Sequence, residues 1–400
     1  MKSVLRYIDN NIQKGVKIDW NLIFYRYRKL KCPGDTYDPT NLPINDLNWF
    51  VILSARSRGK TTNLLLIGLL LYDEYGIQTG YIRQYDNMIT ATKTKNLFNV
   101  INEFHYIEKI FGETWNSTYL WQKYIYLCKR DENGEIIEKS PKPFCVLLST
   151  DKSADYKSSM SLPMCDWLVF DEFMSDRYTT NEFIDLCQLI STIRRDRLST
   201  KIICSSNMVN MYNRYLEEMG LRETVQTLKP GEYKIIKTPL GLSIYVTILN
   251  PDIVSNKKKI HANMTYFGFA NKELSAITGE EWQIKNYPHL PRPTEEEHRE
   301  LITRDCYVNA FGHNICMEFY RSDVLGLYVH FRPYEMKELP DDGIVFTDRY
   351  PTKPNEVYGV GTGTKMVNLW DLYRAHRDYY SSNEIGNMIE TYINSLDRSR

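Results

Sequence analysis

The first residues able to do chemistry are Ser54-Ala-Arg-Ser-Arg-Gly-Lys-Thr61, which follow the apolar run Val51-Ile-Leu53. They fit the phosphate-loop spacing G-x-x-x-x-G-K-[ST], with Ser54 in place of the first glycine. In such a turn, successive backbone N–H groups curl around a phosphate. Lys60 then reaches the outer oxygens and the Thr61 hydroxyl ligates Mg²⁺. After Thr62 comes the apolar run Asn63–Tyr72, which reads as a buried helix with its positive N-terminal end toward the anion. The expected chemistry is binding of ATP with Mg²⁺ by Ser54, Ala55, Arg56, Ser57, Arg58, Gly59, Lys60, Thr61 and Thr62.

A second group completes it. Cys165-Asp-Trp-Leu-Val-Phe-Asp-Glu172 reads as a buried strand ending in two carboxylates. At the carboxyl edge of a parallel sheet these lie beside the phosphate loop, where open α/β sheets bind ligands. Asp171 is expected to hold Mg²⁺ and Glu172 to polarise the attacking water. A third strand, Lys201-Ile-Ile-Cys-Ser-Ser-Asn207, ends in small polar residues. If it neighbours the Asp171 strand, Ser206 and Asn207 reach the γ-phosphate or the water and act as a sensor. Between the two lies Ile193-Arg-Arg-Asp-Arg-Leu198, either a solvated cationic helix end or the source of an arginine finger. Such a finger, donated across a ring, is worth roughly 10³–10⁵ in rate. Arg195 is favoured for it, then Arg197, then Arg194.

The elements that must position these residues are legible in the pattern. Strands are predicted at Trp49–Leu53, Gly80–Arg83, Phe144–Ser149, Trp167–Phe170 and Lys201–Ser205, with helices at Trp20–Lys31, Thr62–Tyr75, Asn87–Phe104 and Glu182–Arg195. Alternation of this kind implies a parallel sheet covered on both faces. Hairpins are predicted at Tyr119–Ile137 and Lys234–Leu249. Residues 251–293 are polar and read as a linker with one or two short helices. A second β-rich unit follows, with strands at Asn314–Tyr320, Leu325–Phe331 and Gly343–Thr347 and an amphipathic helix over Ser381–Asp397. The expected domains are 1–250, a linker region 251–300, and 301–400.

Composition narrows the class. Lys and Arg number 50, balanced by 50 Asp and Glu, so there is no overall pull toward nucleic acid and any DNA contact needs a local patch. The 30 tyrosines suit surfaces that pack at one end and hydrogen-bond at the other. The eight cysteines show neither C-x-x-C nor zinc-site spacing, and Cys165, Cys187 and Cys204 are predicted to be buried thiols. With no secretory core at the N-terminus and no apolar run near the roughly 20 residues that span a bilayer, the expectation is a soluble protein of a reducing cytoplasm, without membrane contact.

The order of these motifs resembles the DNA-packaging ATPases of tailed phages, the terminase large-subunit-like motors, and most closely the compact encapsidation ATPases of small podophages. The resemblance rests on Ser-Ala-Arg-x-x-Gly-Lys-Thr-Thr, Tyr81-Ile-Arg83, Val169-Phe-Asp-Glu-Phe173, and an arginine cluster before Ser205-Ser-Asn207. It is good over about Trp49–Asn207 and weaker beyond. It implies an α/β fold, an ASCE-type P-loop ATPase with a parallel central sheet, followed by a smaller α+β RNase H-like domain. It also implies a homomeric, pentameric ring on the portal of a procapsid, joined through a structural RNA and filling the shell with double-stranded DNA. The site of action would be the host cytoplasm, with transient attachment to the procapsid. Arg195 aligns with the residue that acts in trans, and Arg83 with a functional position near the nucleotide or DNA channel.

Nuclease members of that family carry clustered carboxylates for two metal ions. Here Glu318 lies on a candidate strand, while Asp323, Asp341, Asp342 and Asp348 fall mainly in turns, so a vestigial nuclease used for docking is expected. Alternatives are a full terminase with motor and endonuclease, or a docking protein whose bound nucleotide only locks a conformation. Sequence-independent grip on DNA requires Lys or Arg aimed at phosphates. The candidates are Arg83, Lys93, Lys95, Lys152 and Lys157, with Lys257–Lys259 in the linker.

Overall fold

The computed structural model describes residues 17–30, 32, 36–54, 58–159, 162–174, 181–208, 212–249, 286–336, 338–347, 350–359 and 373–396. The chain enters through helix α1 (Trp20–Lys29), whose N-cap Asp19 accepts from the Asn21 and Leu22 amides. Strand β1 (Trp49–Ser54) then leads through the phosphate-loop segment into α2 (Lys60–Tyr75). Next come β2 (Gln78–Arg83), α3 (Ala91–Glu103), α4 (Tyr106–Phe111), and the antiparallel trio β3 (Ser117–Trp121), β4 (Tyr124–Arg130) and β5 (Ile136–Lys139). After them run β6 (Cys145–Ser149), α5 (Ser153–Ser159), β7 (Cys165–Asp171), α6 (Glu182–Arg194) and β8 (Lys201–Asn207). Short helices α7 (Arg214–Glu218) and α8 (Arg222–Thr227) precede the hairpin β9 (Tyr233–Lys237) and β10 (Ser243–Ile248).

These strands form one ten-stranded sheet in the order β3-β4-β6-β2-β7-β8-β1-β10-β9, with β5 beside β4. From β6 to β10 every neighbouring pair is parallel. The strands are apolar along their whole length because both faces are covered. On β1, Phe50 and Ile52 join a core with α1, α2 and α3. Val51 and Leu53 join a separate core with Leu186, Leu189, Ile190 and Ile193 of α6. That stripe explains one correction. Cys165 and Cys204 are buried strand thiols as expected, but Cys187 is exposed because it sits off the buried stripe of α6.

A second sheet has the order β15-β14-β11-β12-β13-β16, built from β11 (Arg299–Ala310), β12 (His313–Ser322), β13 (Gly326–Pro333), β14 (Ile344–Thr347), β15 (Glu356–Tyr358) and β16 (Asp378–Tyr380). The first three are antiparallel neighbours, while β14 and β15 continue beyond β11 in parallel. Helix α9 (Asn383–Leu396) packs on this sheet through Ile385, Met388, Ile389, Tyr392 and Ile393, at the spacing of one helix face. Strand β11 is absent from the sequence reading. Its first seven residues are mostly exposed and charged, so they carry no alternation of apolar and polar positions.

The two units touch. Tyr212, just past β8, is 3% exposed and joins the core of the second unit, and its hydroxyl donates to Glu384 of α9. Likewise the Tyr287 amide donates to Asn383 at 3.0 Å, so the chain from 286 onward already packs on the second unit. Among the described residues no helix is long and apolar enough to cross a membrane.

Candidate active site

Five of the parallel strands end in polar residues on one edge of the first sheet. Register pairs Ser54 with Asn207, Asp171 with Ser205, and Arg83 with Ser149. Parallel strands point their carboxyl ends the same way, so the loops that follow β1, β2, β6, β7 and β8 converge there.

Lys60, at the start of α2, is 6% exposed. Its ammonium donates to Ser54 Oγ and, at 3.2 Å, to Asn207 Oδ1. Gly59 before it has φ +66°, and a Cβ there would come within 3.1 Å of the Thr36 side chain. The Tyr37 amide donates to the Arg58 carbonyl at 2.7 Å, so Thr36 and Tyr37 pack against Arg58 and Gly59. Ala55, Arg56 and Ser57 lie outside the described residues.

Burial pushes the Lys60 ammonium down from its ordinary 10.5 to about 8, against the raising effect of Asp171 and Glu172. A phosphate placed beside it favours the charged form. Free Lys60 is largely charged below about pH 8 and largely neutral above it, so binding of ADP should take up a proton above that pH. Affinity should hold below pH 8 and weaken as pH rises through it. Calorimetry in two buffers of different ionisation enthalpy measures the uptake, and identical uptake in Lys60→Ala would exclude Lys60 as its source.

Asp171, 4% exposed, accepts from Thr61 Oγ1 at 2.8 Å, Tyr81 OH at 2.9 Å and Ser205 Oγ at 2.7 Å. Burial holds the Tyr81 phenol well above its ordinary pKa, so it remains a donor. Glu172 follows at φ +50°, a left-handed backbone uncommon for a side-chain-bearing residue, with its side chain 52% exposed. That turn is pinned from both sides. Gln84 Nε2 donates to the Phe173 carbonyl at 2.8 Å, and the Met174 amide donates to Ser206 Oγ at 3.3 Å.

Arg83 ion-pairs with Glu172 and lies 3.6 Å from Asp171. It therefore faces the two carboxylates, at the Lys60 edge of the sheet. The sequence reading quotes Tyr81 only as the start of Tyr81-Ile-Arg83 and gives neither it nor Gln84 a role at the site. Tyr81 lies two residues before Arg83 on one face of β2, so strand alternation pointed to it. Gln84 had no such signal.

The arginine cluster divides. Arg197 is 7% exposed, its Nε donating to Asp166 at 2.7 Å and its Nη2 to the carbonyls of Leu162, Cys165 and Ile193. Asp166 also accepts from Ser199 and Thr200. This is a structural anchor at the amino end of β7, which corrects its candidacy as a finger. Breaking a buried pair leaves the other charge unmatched, so Arg197→Ala should cost about 3–5 kcal/mol in urea unfolding. Arg195 is exposed, at φ +50°, and Arg195→Ala should stay within about 0.5 kcal/mol of the native chain. Equal losses would overturn the distinction. Both arginines lie at the sheet edge opposite Lys60, because α6 runs back along the sheet to the start of β8.

Of the lysines, Lys93 and Lys95 are exposed on α3, with Lys93 donating to the Asn87 carbonyl at 3.0 Å. Lys152 is exposed beside Asp155 at 3.9 Å. All three follow strands at the Lys60 edge. The Lys157 side chain and Lys257–Lys259 lie outside the described residues.

The molecule is a mixed α/β protein built on a large, mostly parallel sheet. It has the fold of phage genome-packaging motors. The Phi-28 gp11 DNA packaging motor is similar at 17% identity and TM-score 0.51, over 91% of this chain and 99% of that one. The bacteriophage Phi-29 viral genome packaging motor assembly is similar at 17% identity and TM-score 0.50, over 89% and 98%. No family model matches the sequence, and no curated protein matches it.

Proposed function

We propose that this chain is an ATP-hydrolysing motor subunit that drives double-stranded DNA into a viral procapsid, working in a homomeric ring on the portal. The observation that carries the reading is the convergence of Lys60, Thr61, Asp171, Glu172 and Asn207 on one edge of a packaging-motor fold. Lys60 and the Gly59 backbone cradle the phosphates, and Asn207, bonded to Lys60, senses the γ-phosphate. Thr61 and Asp171 offer adjoining hard oxygen donors of the kind Mg²⁺ takes alongside phosphate oxygens and water. Among the described residues no cluster of three or more His, Cys, Asp or Glu gathers, which suits a metal held largely by its substrate. Bound there, Mg²⁺ would neutralise charge on the phosphates. Glu172 orients the water once its pair with Arg83 opens, and Arg195 serves a neighbouring subunit.

Within this reading residues 1–250 are the motor domain and 301–400 an RNase H-like domain without nuclease activity, while of the 251–300 linker region the stretch from 286 packs with that second domain. Three antiparallel strands continued by two parallel ones support the fold of that last domain. Its Glu318 is held by Arg332 at 2.7 Å and His330 at 3.5 Å, an ion-paired state that supports a structural role. Lys93, Lys95 and Lys152 are the proposed DNA contacts. The portal, a structural RNA and a pentameric ring belong to the same proposal, as does action in the host cytoplasm on a procapsid. The test is ATP turnover with and without DNA and empty procapsids. Strong stimulation requiring both is expected, whereas turnover that ignores them would favour a nucleotide-locked docking protein.

A further inference from the structure

A cavity of about 490 Å³ opens at the free edge of the second sheet, beside β16. Its size is that of a small-ligand site. Tyr287 and Tyr373, both half-buried, form its sides. Tyr380 and Asp378, 1% and 6% exposed, form its base, and the exposed Arg374 and His376 stand at its mouth.

The lining is rigid. The Tyr287 hydroxyl donates to Glu390 of α9 with Asn387 Oδ1 3.3 Å away, and its ring lies so close to Gly386 that a Cβ there would come within 2.2 Å. Tyr380 stacks on Phe331 with centroids 5.3 Å apart and meets Tyr287 edge-on at 5.4 Å. Its hydroxyl donates to Asp378, so Tyr287 and Tyr380 are anchored, and the ring surface open to the cavity is that of the half-buried Tyr287 and Tyr373.

Aromatic surface above a carboxyl group suits a planar ring that carries N–H donors. Two basic side chains at the mouth suit an anion attached to that ring. A nucleotide unites both features, because bases stack on aromatic side chains and phosphates take charge-assisted hydrogen bonds. We propose that this cavity binds one nucleotide, base inward toward Asp378 and phosphate outward at Arg374 and His376. Guanine fits best, since its Watson–Crick edge offers adjacent N–H donors to a carboxylate. In a duplex that edge is paired, so the ligand is a free nucleotide or one nucleotide of a single strand. The site is independent of the phosphate-loop reading.

The experiment is a calorimetric titration of the full chain, native and Lys60→Ala, with GMP, UMP, guanosine and a short G-containing single strand. GMP should bind both chains equally and at least about tenfold more tightly than UMP. Tyr373→Ala should weaken GMP about tenfold by removing a stacking partner. Arg374→Ala should bring GMP toward the affinity of guanosine, the remainder of the difference belonging to His376. Asp378→Asn should move the GMP-to-UMP ratio toward one. Binding of GMP without the strand assigns a free nucleotide, and displacement of the strand by GMP assigns a single-stranded ligand. No binding of either probe, or affinity unchanged in both Tyr373→Ala and Arg374→Ala, overturns the proposal, as does loss of binding in Lys60→Ala.

Discussion

Replacing Glu172 by Gln is expected to lower ATP turnover by at least about 10²-fold while ATP still binds with near-native affinity. In the proposed site Lys60, Asn207 and Thr61 take the phosphate side, and Glu172, whose side chain is half exposed and contacts Arg83, is not needed to hold it. Glutamine keeps the size of the side chain and can still accept from Arg83, but it cannot take a proton from water. The loss should therefore fall on kcat and leave nucleotide affinity alone. Asp171→Asn should behave differently, because Asp171 accepts from Thr61, Tyr81 and Ser205, and an amide there must reorganise three donors. Single-turnover hydrolysis beside ATP binding separates the two outcomes. Native turnover in Glu172→Gln would falsify the assignment of Glu172 as the water-orienting base.

Arg195→Ala is expected to lower turnover by roughly 10³-fold, provided subunits assemble. Within one chain this residue stands at the far end of the sheet from Lys60, so any contribution to hydrolysis must cross to a neighbour. Mixing supplies the decisive measurement. Arg195→Ala and Glu172→Gln are each inactive alone, yet in an equal random mixture about a quarter of the contacts join an intact Glu172 to an intact Arg195 across a head-to-tail interface. Turnover should return in proportion to that fraction. If the mixture stays as inactive as its components while rings form, Arg195 is a solvated helix end. Arg197 offers no such rescue, since its partners Asp166, Leu162 and Cys165 are within its own chain.

The first sheet was open to sequence reading because its strands are short apolar runs buried on both faces and punctuated by helices. Buried strands of this kind leave the same signal wherever they sit in the order, so β1, β2, β6, β7 and β8 could be found one by one. The second sheet was harder. β11 is long and half-solvated, and the brief β15 and β16 are recognisable only through their partners β14 and β13.

Local spacing alone accounts for the phosphate-loop turn, the Asp171-Glu172 strand end and the small polar end of β8, because each is a matter of a few consecutive residues meeting one backbone geometry. Nothing local decides which way a long cationic side chain turns. Arg83, Arg195 and Arg197 look alike as letters, and only the folded chain directs the first to two carboxylates, leaves the second in solvent and buries the third against Asp166. The same holds for Gln84 at the site, for Tyr212 reaching into the second unit, and for the tyrosine-lined cavity beside β16. Each depends on contacts between residues far apart in sequence, where burial and the position of a partner charge set the energy.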